Sequence, residues 1–421
     1  MEGEIMNVMD ELGTAPRAQP PHTAAELQGL FGPFAFSEKL LQKIWLRGDF
    51  DRTGLVATDG RRIAVSHPGK WNLQGGPDFK GARLTLGDGR ETTGDVELHL
   101  HANDWTAHRH AADRAYDGVV LHVVLFPPAP SHRTVGVGGK LIPVVALLPL
   151  LHHALEEYAA EEAVEVLANR PASRILETLG PLPQAELLAL LEREARGRWA
   201  QKVHFARLRL QRLGWTEACH HAALEILGYR FNRAPMLRVA GAYPLAGWTQ
   251  LSADAVFEAE RDWSLQALRP ANHPRVRLGQ YAAWVRARPD WPERWARLGR
   301  ELPAVETHAS TSTARRSHRF TALRSRLLRE ICSDTIGGTR FDNLVCDGLL
   351  PLLATETSAD CAGLWFHWFT GDLPPVLPRA LRQLGVFGAG GEPAGHGRAQ
   401  GLLGWLIARE NLSGSAAGRG A

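Results

Sequence analysis

From Gly94 to His101 the chain reads Gly-Asp-Val-Glu-Leu-His-Leu-His, and no other stretch limits its fold so narrowly. Side chains on a β-strand point to opposite faces in turn. Val96, Leu98 and Leu100 then share an apolar face, while Asp95, Glu97, His99 and His101 share the other. A helix would scatter both sets. The segment is therefore a strand with one face against a core, and its second face carries four groups able to bind a metal or carry a proton.

The flanking sequence places that strand in an α/β core. Ser37 is positioned as the N-cap of a helix with Glu38 in its first turn and Leu40, Leu41, Ile44 and Trp45 on one side. Strands are expected near residues 62–66, 81–86, 95–101, 119–126 and 141–147, with turn signals at Thr58-Asp-Gly60 and Gly87-Asp-Gly89 and a short helix within Asn103 to Ala112. After Leu147 the apolar spacing becomes three-to-four, and helices are expected at 148–168, 184–213, 216–227, 274–285, 318–331 and 375–384. The predicted organisation is a flexible amino terminus (1–26), an α/β domain (27–150), a helical region with room for two subdomains (151–412) and a flexible tail (413–421).

Composition removes several classes. Apolar residues make up 44% and charged residues 22% of the 421, as in ordinary globular proteins. The longest apolar run, Leu141 to Leu151, is broken by Pro143 and Pro149 and is too short to span a bilayer. The acidic start MEGEIMNVMDEL lacks the basic and apolar regions of a secretory signal. Four cysteines without a C-x-x-C pair fit a reducing compartment without a zinc ribbon, so a cytoplasmic protein is expected. No nucleophile elbow, H-E-x-x-H helix or dinucleotide loop is present.

Asp78 extends the chemistry of the polar face. It follows Gly75-Gly76-Pro77, and a hairpin at Gly87–Gly89 would set its strand beside Glu97. Asp78, Glu97 and the carbonyl of Leu98 could then hold a hard divalent cation that keeps several waters, one of which could attack phosphorus. These residues resemble the PD-(D/E)XK nuclease superfamily, which implies a restriction-endonuclease-like core of helix, three-stranded meander, helix and strand. The resemblance rests on Pro77-Asp78, Glu97-Leu98-His99 and the helix acid Glu38. It implies magnesium or manganese at Asp78, Glu97 and Leu98, with Glu38 assisting and His99 standing where the superfamily has lysine. Lys80, two residues beyond Asp78, is a candidate for that missing charge. The longer stretches SEKLLQKIW, GGPDFKGARL, GDVELHLHANDW and YDGVVLHVV resemble a bacterial family labelled domain of unknown function 2851, to which no activity is attached.

Other histidines read more plainly. His108 and His110 are two apart, which on a helix puts them on different faces, and His122 between Leu121 and Val123 reads as a hydrogen-bonded core residue. Only six of the 48 basic residues are lysine, and arginine crowds two helices. Arg196, Arg198 and Lys202 in the first run, and Arg315, Arg316 and Arg319 in the second, are candidates for contact with a nucleic-acid backbone. The tryptophans are expected to pack helices. Three functions follow: a metal-dependent nuclease; a zinc or iron enzyme using Glu97, His99 and His101, since imidazole favours those metals; or a non-catalytic nucleic-acid-binding or scaffold protein.

Overall fold

The structure, a computed structural model, describes residues 24–29, 32–167, 172–266, 268–357, 360–388 and 392–417. The expected flexible amino terminus lies outside the described residues up to residue 23; Ala24–Gly29 (β1) and Gly32–Ser37 (β2) form a two-stranded sheet. The expected tail lies outside them from residue 418, and residues 413–417 close a helix, His396–Ala417. The chain divides into two compact units. Of the described residues, the first holds Ala24, Ala25, Ser37–Leu46 and Phe50–Leu151, and the second holds those between Glu26 and Phe36, Arg47–Asp49 and those from His152 onward.

In the first unit, helix α1 (Glu38–Arg47) starts where the sequence predicts, with the Leu40 amide donating to Ser37 Oγ at 3.2 Å. The strands are β3 (Ile63–His67), β4 (Lys70–Trp71), β5 (Phe79–Leu86), β6 (Thr92–His99), β7 (Val119–Val124), the pair β8 (Thr134–Val135) and β9 (Leu141–Ile142), and β10 (Val144–Ala146). The main sheet runs β10-β7-β6-β5-β3, with β4 on the end of β5. β3, β5 and β6 are antiparallel neighbours, whereas β6–β7 and β7–β10 are parallel, so the sheet is mixed. Gly87, at φ +61°, makes the β5–β6 turn with little steric cost. Pro143 divides the strand expected over 141–147 into β9 and β10, because it has no amide to continue a ladder.

β6 lies inside the sheet and is covered on both sides: Val96 and Leu98 are fully buried, and so is His99. The pairing Phe79↔Val96 brings Asp78 to the side of Glu97, and the parallel pairing Glu97↔His122 sets His122 on its other flank. Helix α2 (Asp104–Ala107) and a short 3₁₀ turn, His110–Ala112, fill the crossover from β6 to β7.

The second unit is helical. Helix α3 (Leu155–Leu167), α4 (Ser173–Leu179) and the long α5 (Gln184–Ala242) are followed by shorter helices through Gln383 and by His396–Ala417. α5 is interrupted at Gly214, whose φ is +72°, where the sequence separates two helices. Further breaks fall at Tyr229 and Asn232. Its core is built on tryptophan: Trp248 meets Tyr281 edge to face at 4.9 Å, and Trp284, Trp291, Trp295 and Trp368 are fully buried. Large ring area removed from water is the main stabilising contribution of such packing. Among the described residues no helix is long and apolar enough to cross a membrane.

Candidate metal centre

The buried polar face of β6 is assembled from three elements. α1 supplies Gln42, whose amide donates to Asp78 Oδ1 at 2.6 Å and accepts from Trp71 Nε1 at 3.0 Å. Asp78 Oδ2 accepts from the Leu98 amide at 2.9 Å, and the Asp78 amide donates to Glu97 Oε2 at 3.0 Å. Asp78 and Glu97 thus stand on one side of the sheet, locked to each other through the backbone. Both oxygens of Asp78 already accept hydrogen bonds from the protein, and Leu98 enters through its amide.

Glu97 Oε1 faces away from Asp78 and into a group of imidazoles. It lies 3.5 Å from His99 Nε2 and 3.3 Å from His110 Nε2. His99 Nε2 is also 3.1 Å from His108 Nδ1 and 3.2 Å from His110 Nε2. A ring nitrogen carries at most one proton, so His99 Nε2 cannot satisfy three neighbours by hydrogen bonding. The spacing has another natural reading. Ligand atoms arranged tetrahedrally at 2.0–2.1 Å from zinc are about 3.3 Å apart; the His99–His108 and His99–His110 separations lie close to that, and nitrogens of all three rings lie within 4.8 Å of one another.

Behind the cluster, His99 Nδ1 lies 2.9 Å from His122 Nε2, and His122 Nδ1 lies 2.9 Å from Thr134 Oγ1, which His132 Nε2 also approaches at 3.2 Å. If His99 Nε2 is a ligand, the protons are assigned uniquely. His99 Nδ1–H donates to His122, His122 Nδ1–H donates to Thr134, and the Thr134 hydroxyl donates to His132. Histidine ligands are commonly oriented in this way by a partner on the far nitrogen. Tyr116 covers the other side, stacked on His110 with ring centroids 3.9 Å apart.

Burial is the leading electrostatic influence. It raises Asp78 well above the usual carboxylate range, with Glu97 adding to the shift. It pushes Glu97 up to about 8 despite the Asp78 amide, with Glu38 raising it further and Lys80 lowering it. Burial and the neighbouring rings hold His99 well below the usual imidazole range, and burial first takes His110 to about 4 and His122 to about 3. The ion-free cluster therefore consists of neutral imidazoles around a carboxylate that resists ionisation. A divalent cation among them would lower the raised carboxyl of Glu97 and keep the imidazoles neutral, the forms in which both kinds of group bind a metal.

His108 and His110 come together for a reason invisible in their spacing. Arg109 between them adopts a left-handed conformation, φ 59° and ψ 32°, which ends α2 and turns both rings toward His99. The segment Ala107-His-Arg-His-Ala-Ala-Asp113 lacks apolar periodicity, the signal against a continuous helix. Arg109→Val should cost about 1–2 kcal/mol, because a branched side chain is strained at positive φ. Arg109→Gly should be nearly neutral. Urea midpoints of the two variants test the pair, and equal midpoints would mean the turn imposes no constraint.

The other expected residues are placed as follows. His101 is exposed and stacks on Phe126 at 4.8 Å, away from the cluster, because β6 ends at His99 and the alternation stops there. Lys80 pairs with Asp95 Oδ2 at 2.8 Å and keeps 43% of its side chain exposed. Glu38 is buried beside Glu97. In the second unit Arg196 is exposed and pairs with Glu192, Lys202 pairs with Asp347 at 2.6 Å, and Arg198 donates to Gln201 at 2.8 Å. Arg315 is turned inward and donates to the carbonyls of His367, Trp368 and Ala394, so its guanidinium is committed to the fold. Arg316 and Arg319 are exposed. Gln42, which the sequence reading passed over and which holds Asp78, lies one helical turn after Glu38 on the buried side of α1.

Fold and site together define a protein with a mixed α/β unit, a buried carboxylate–histidine cluster in it, and a separate helical unit. The chain belongs to the family described as Protein of unknown function (DUF2851), whose model matches residues 38–260 and so includes the cluster. No curated protein and no solved structure matches it.

Proposed function

We propose that the first unit is a transition-metal hydrolase that holds zinc or iron through His99, His108 and His110, with Glu97 at the edge of the site. The supporting observation is the convergence of three imidazole nitrogens within 4.8 Å of one another, with a Glu97 carboxylate oxygen 3.3 Å from His110 and 3.5 Å from His99. Nitrogen-rich sites suit zinc and iron better than magnesium. When bound, such an ion polarises a scissile acyl or phosphoryl oxygen and makes water acidic near neutral pH. Asp78 keeps Glu97 oriented through its amide, and the His122–Thr134 pair fixes the tautomer of His99. His108 is the half-buried member, so the cluster meets solvent on its side.

A second reading is a magnesium- or manganese-dependent nuclease of restriction-endonuclease-like architecture. It is supported by the order of a helix, three antiparallel strands and a parallel fourth, with Asp78 at the entry to β5 beside Glu97. In that reading neutral His99 cannot supply the lysine's positive charge, and Lys80 is the nearby cation.

The two readings separate by assay. The protein loaded with zinc, iron, manganese or magnesium is offered DNA, RNA, a bis-aryl phosphodiester and aryl esters. The transition-metal hydrolase predicts turnover with zinc or iron that falls at least about 100-fold in His110→Ala, together with loss of bound metal. Magnesium-dependent cleavage that survives His110→Ala and disappears in Asp78→Ala would establish the nuclease instead. Stoichiometric metal without turnover on any substrate would defeat both.

A further inference from the structure

The second unit contains a cavity of about 480 Å³, bounded by α3, α5, the turn at Leu344–Leu349 and the His396–Ala417 helix. Pockets that hold small molecules fall within this size range. Its cations are almost all neutralised in place. Lys202 meets Asp347 at 2.6 Å, Arg209 meets Glu225 at 2.5 Å, Arg340 meets Asp372 at 2.6 Å, Arg233 bridges Glu225 and Glu161, and Arg47 meets Glu165 at 3.0 Å. Because Arg209 and Arg233 occupy Glu225, the neighbouring group of His153, Glu157 and Glu225 is an ion-pair network and not a cation site.

Arg198 is the exception among the described cations lining the cavity. It makes no salt bridge; Nη1 donates to the Gln201 amide oxygen and the buried Nε has no partner. With no carboxylate in direct contact, although Asp347, Glu157 and Glu156 lie near enough to favour its charge, the guanidinium keeps planar donors that fit an oxyanion. Also on the wall, Gln400 is 95% buried by its 5% exposure, yet its Oε1 accepts nothing. An unpartnered acceptor in that position needs a donor from outside the fold.

The backbone around the same cavity is irregular in two places. Leu344–Leu349 is a π-helical turn that presents Asp347 and Gly348 to the cavity, and such turns recur at functional sites. Tyr229, also on the wall, holds φ 55° and ψ −166°, a conformation unfavourable for a non-glycine residue, with the Arg340 guanidinium 4.2 Å above its ring. Strain of this kind persists where the surroundings enforce it.

We propose that this cavity binds a small molecule bearing a carboxylate or phosphate, with Arg198 taking the anion and Gln400 accepting from a hydroxyl or amine on the same molecule. The site is independent of the metal centre. A buried cation left without a direct ion pair and kept for a ligand makes the empty protein less stable than it need be.

The experiment uses the full chain with inorganic phosphate, adenosine monophosphate, glutamate and succinate as probes, followed by calorimetry and thermal melting. At least one probe should bind saturably and raise the melting temperature, and its class distinguishes phosphate from carboxylate. Arg198→Met should weaken that binding at least tenfold while melting, without probe, at or above the wild-type temperature. Gln400→Leu should weaken adenosine monophosphate or glutamate more than phosphate or succinate, which lack the nitrogen-bearing donor group. Absence of binding by all four probes in the wild type, or a probe-free Arg198→Met that melts several degrees lower, would overturn the proposal.

Discussion

Protein purified without chelator should carry about one equivalent of zinc or iron per chain, and stripping that ion should lower the melting temperature of the first unit by about 10 °C. The size follows from linkage. An ion present at about a thousandfold its dissociation constant stabilises the folded form by about 4 kcal/mol, and each kcal/mol is worth roughly 2–8 °C for units of this size range. The effect should depend on pH in a definite direction. Glu97 is raised from 4.5 to about 8 in the ion-free fold, so the fold binds a proton there that the unfolded chain releases. Its stabilising effect is complete below 4.5 and is lost as pH rises through 8. The gap between loaded and stripped protein should therefore widen from pH 5 to pH 8, and Glu97→Gln should remove that widening. His110→Ala should abolish the bound equivalent. An ion-free preparation whose melting temperature ignores added zinc and iron would refute the site.

The second unit should lose most of its stability between pH 6.5 and pH 4. His220 is fully buried as a neutral ring, near the Tyr281 hydroxyl at 2.6 Å and the Tyr243 carbonyl at 3.0 Å, and burial lowers it from 6.5 to about 4. His396, equally buried, is lowered to about 4 for the same reason. Below 6.5 the unfolded chain takes up protons that these rings refuse, so stability falls until the folded values are reached. At 1.36 kcal/mol per unit, each contributes a loss of about 3 kcal/mol, and two such losses rival the whole stability of a typical domain. Urea midpoints followed by helical circular dichroism at pH 7.5 and 4.5 measure this. His220→Gln should start lower at pH 7.5 but show a flatter decline. A wild-type midpoint unchanged across that interval would mean the rings titrate without unfolding.

The legible part of this protein is what periodicity writes. Alternation at 95–101 marked β6, the Ser37 cap marked α1, and Gly214 marked the division of α5, because each is a local preference stated by adjacent residues. Asp78 and Glu97 were paired from a turn and a hairpin, both short-range features. What remained hidden depended on single dihedral angles or on distant partners. The alternation places His101 on the chemical face, but β6 stops two residues earlier. His108 and His110 were separated by helical geometry that Arg109 abolishes. The charge of Arg315 marked a surface, whereas three carbonyls more than 50 residues away draw it inward. No spacing rule within one segment can report such partners.

The covering of β6 on both sides has a consequence for how the chain finds its native pairing. A slip of one residue exchanges the two faces of a strand. In most sheets the error exposes a few apolar groups. Here it would drive Glu97 and His99 into the space filled by Val96 and Leu98, and set two hydrocarbon side chains opposite His110 and Gln42. The misaligned chain would bury a carboxylate and an imidazole with no partners, a penalty far larger than a lost contact. The residues that gather the chemistry thus also act as the sheet's alignment key, and they exert that discrimination during folding, before any ion or substrate arrives.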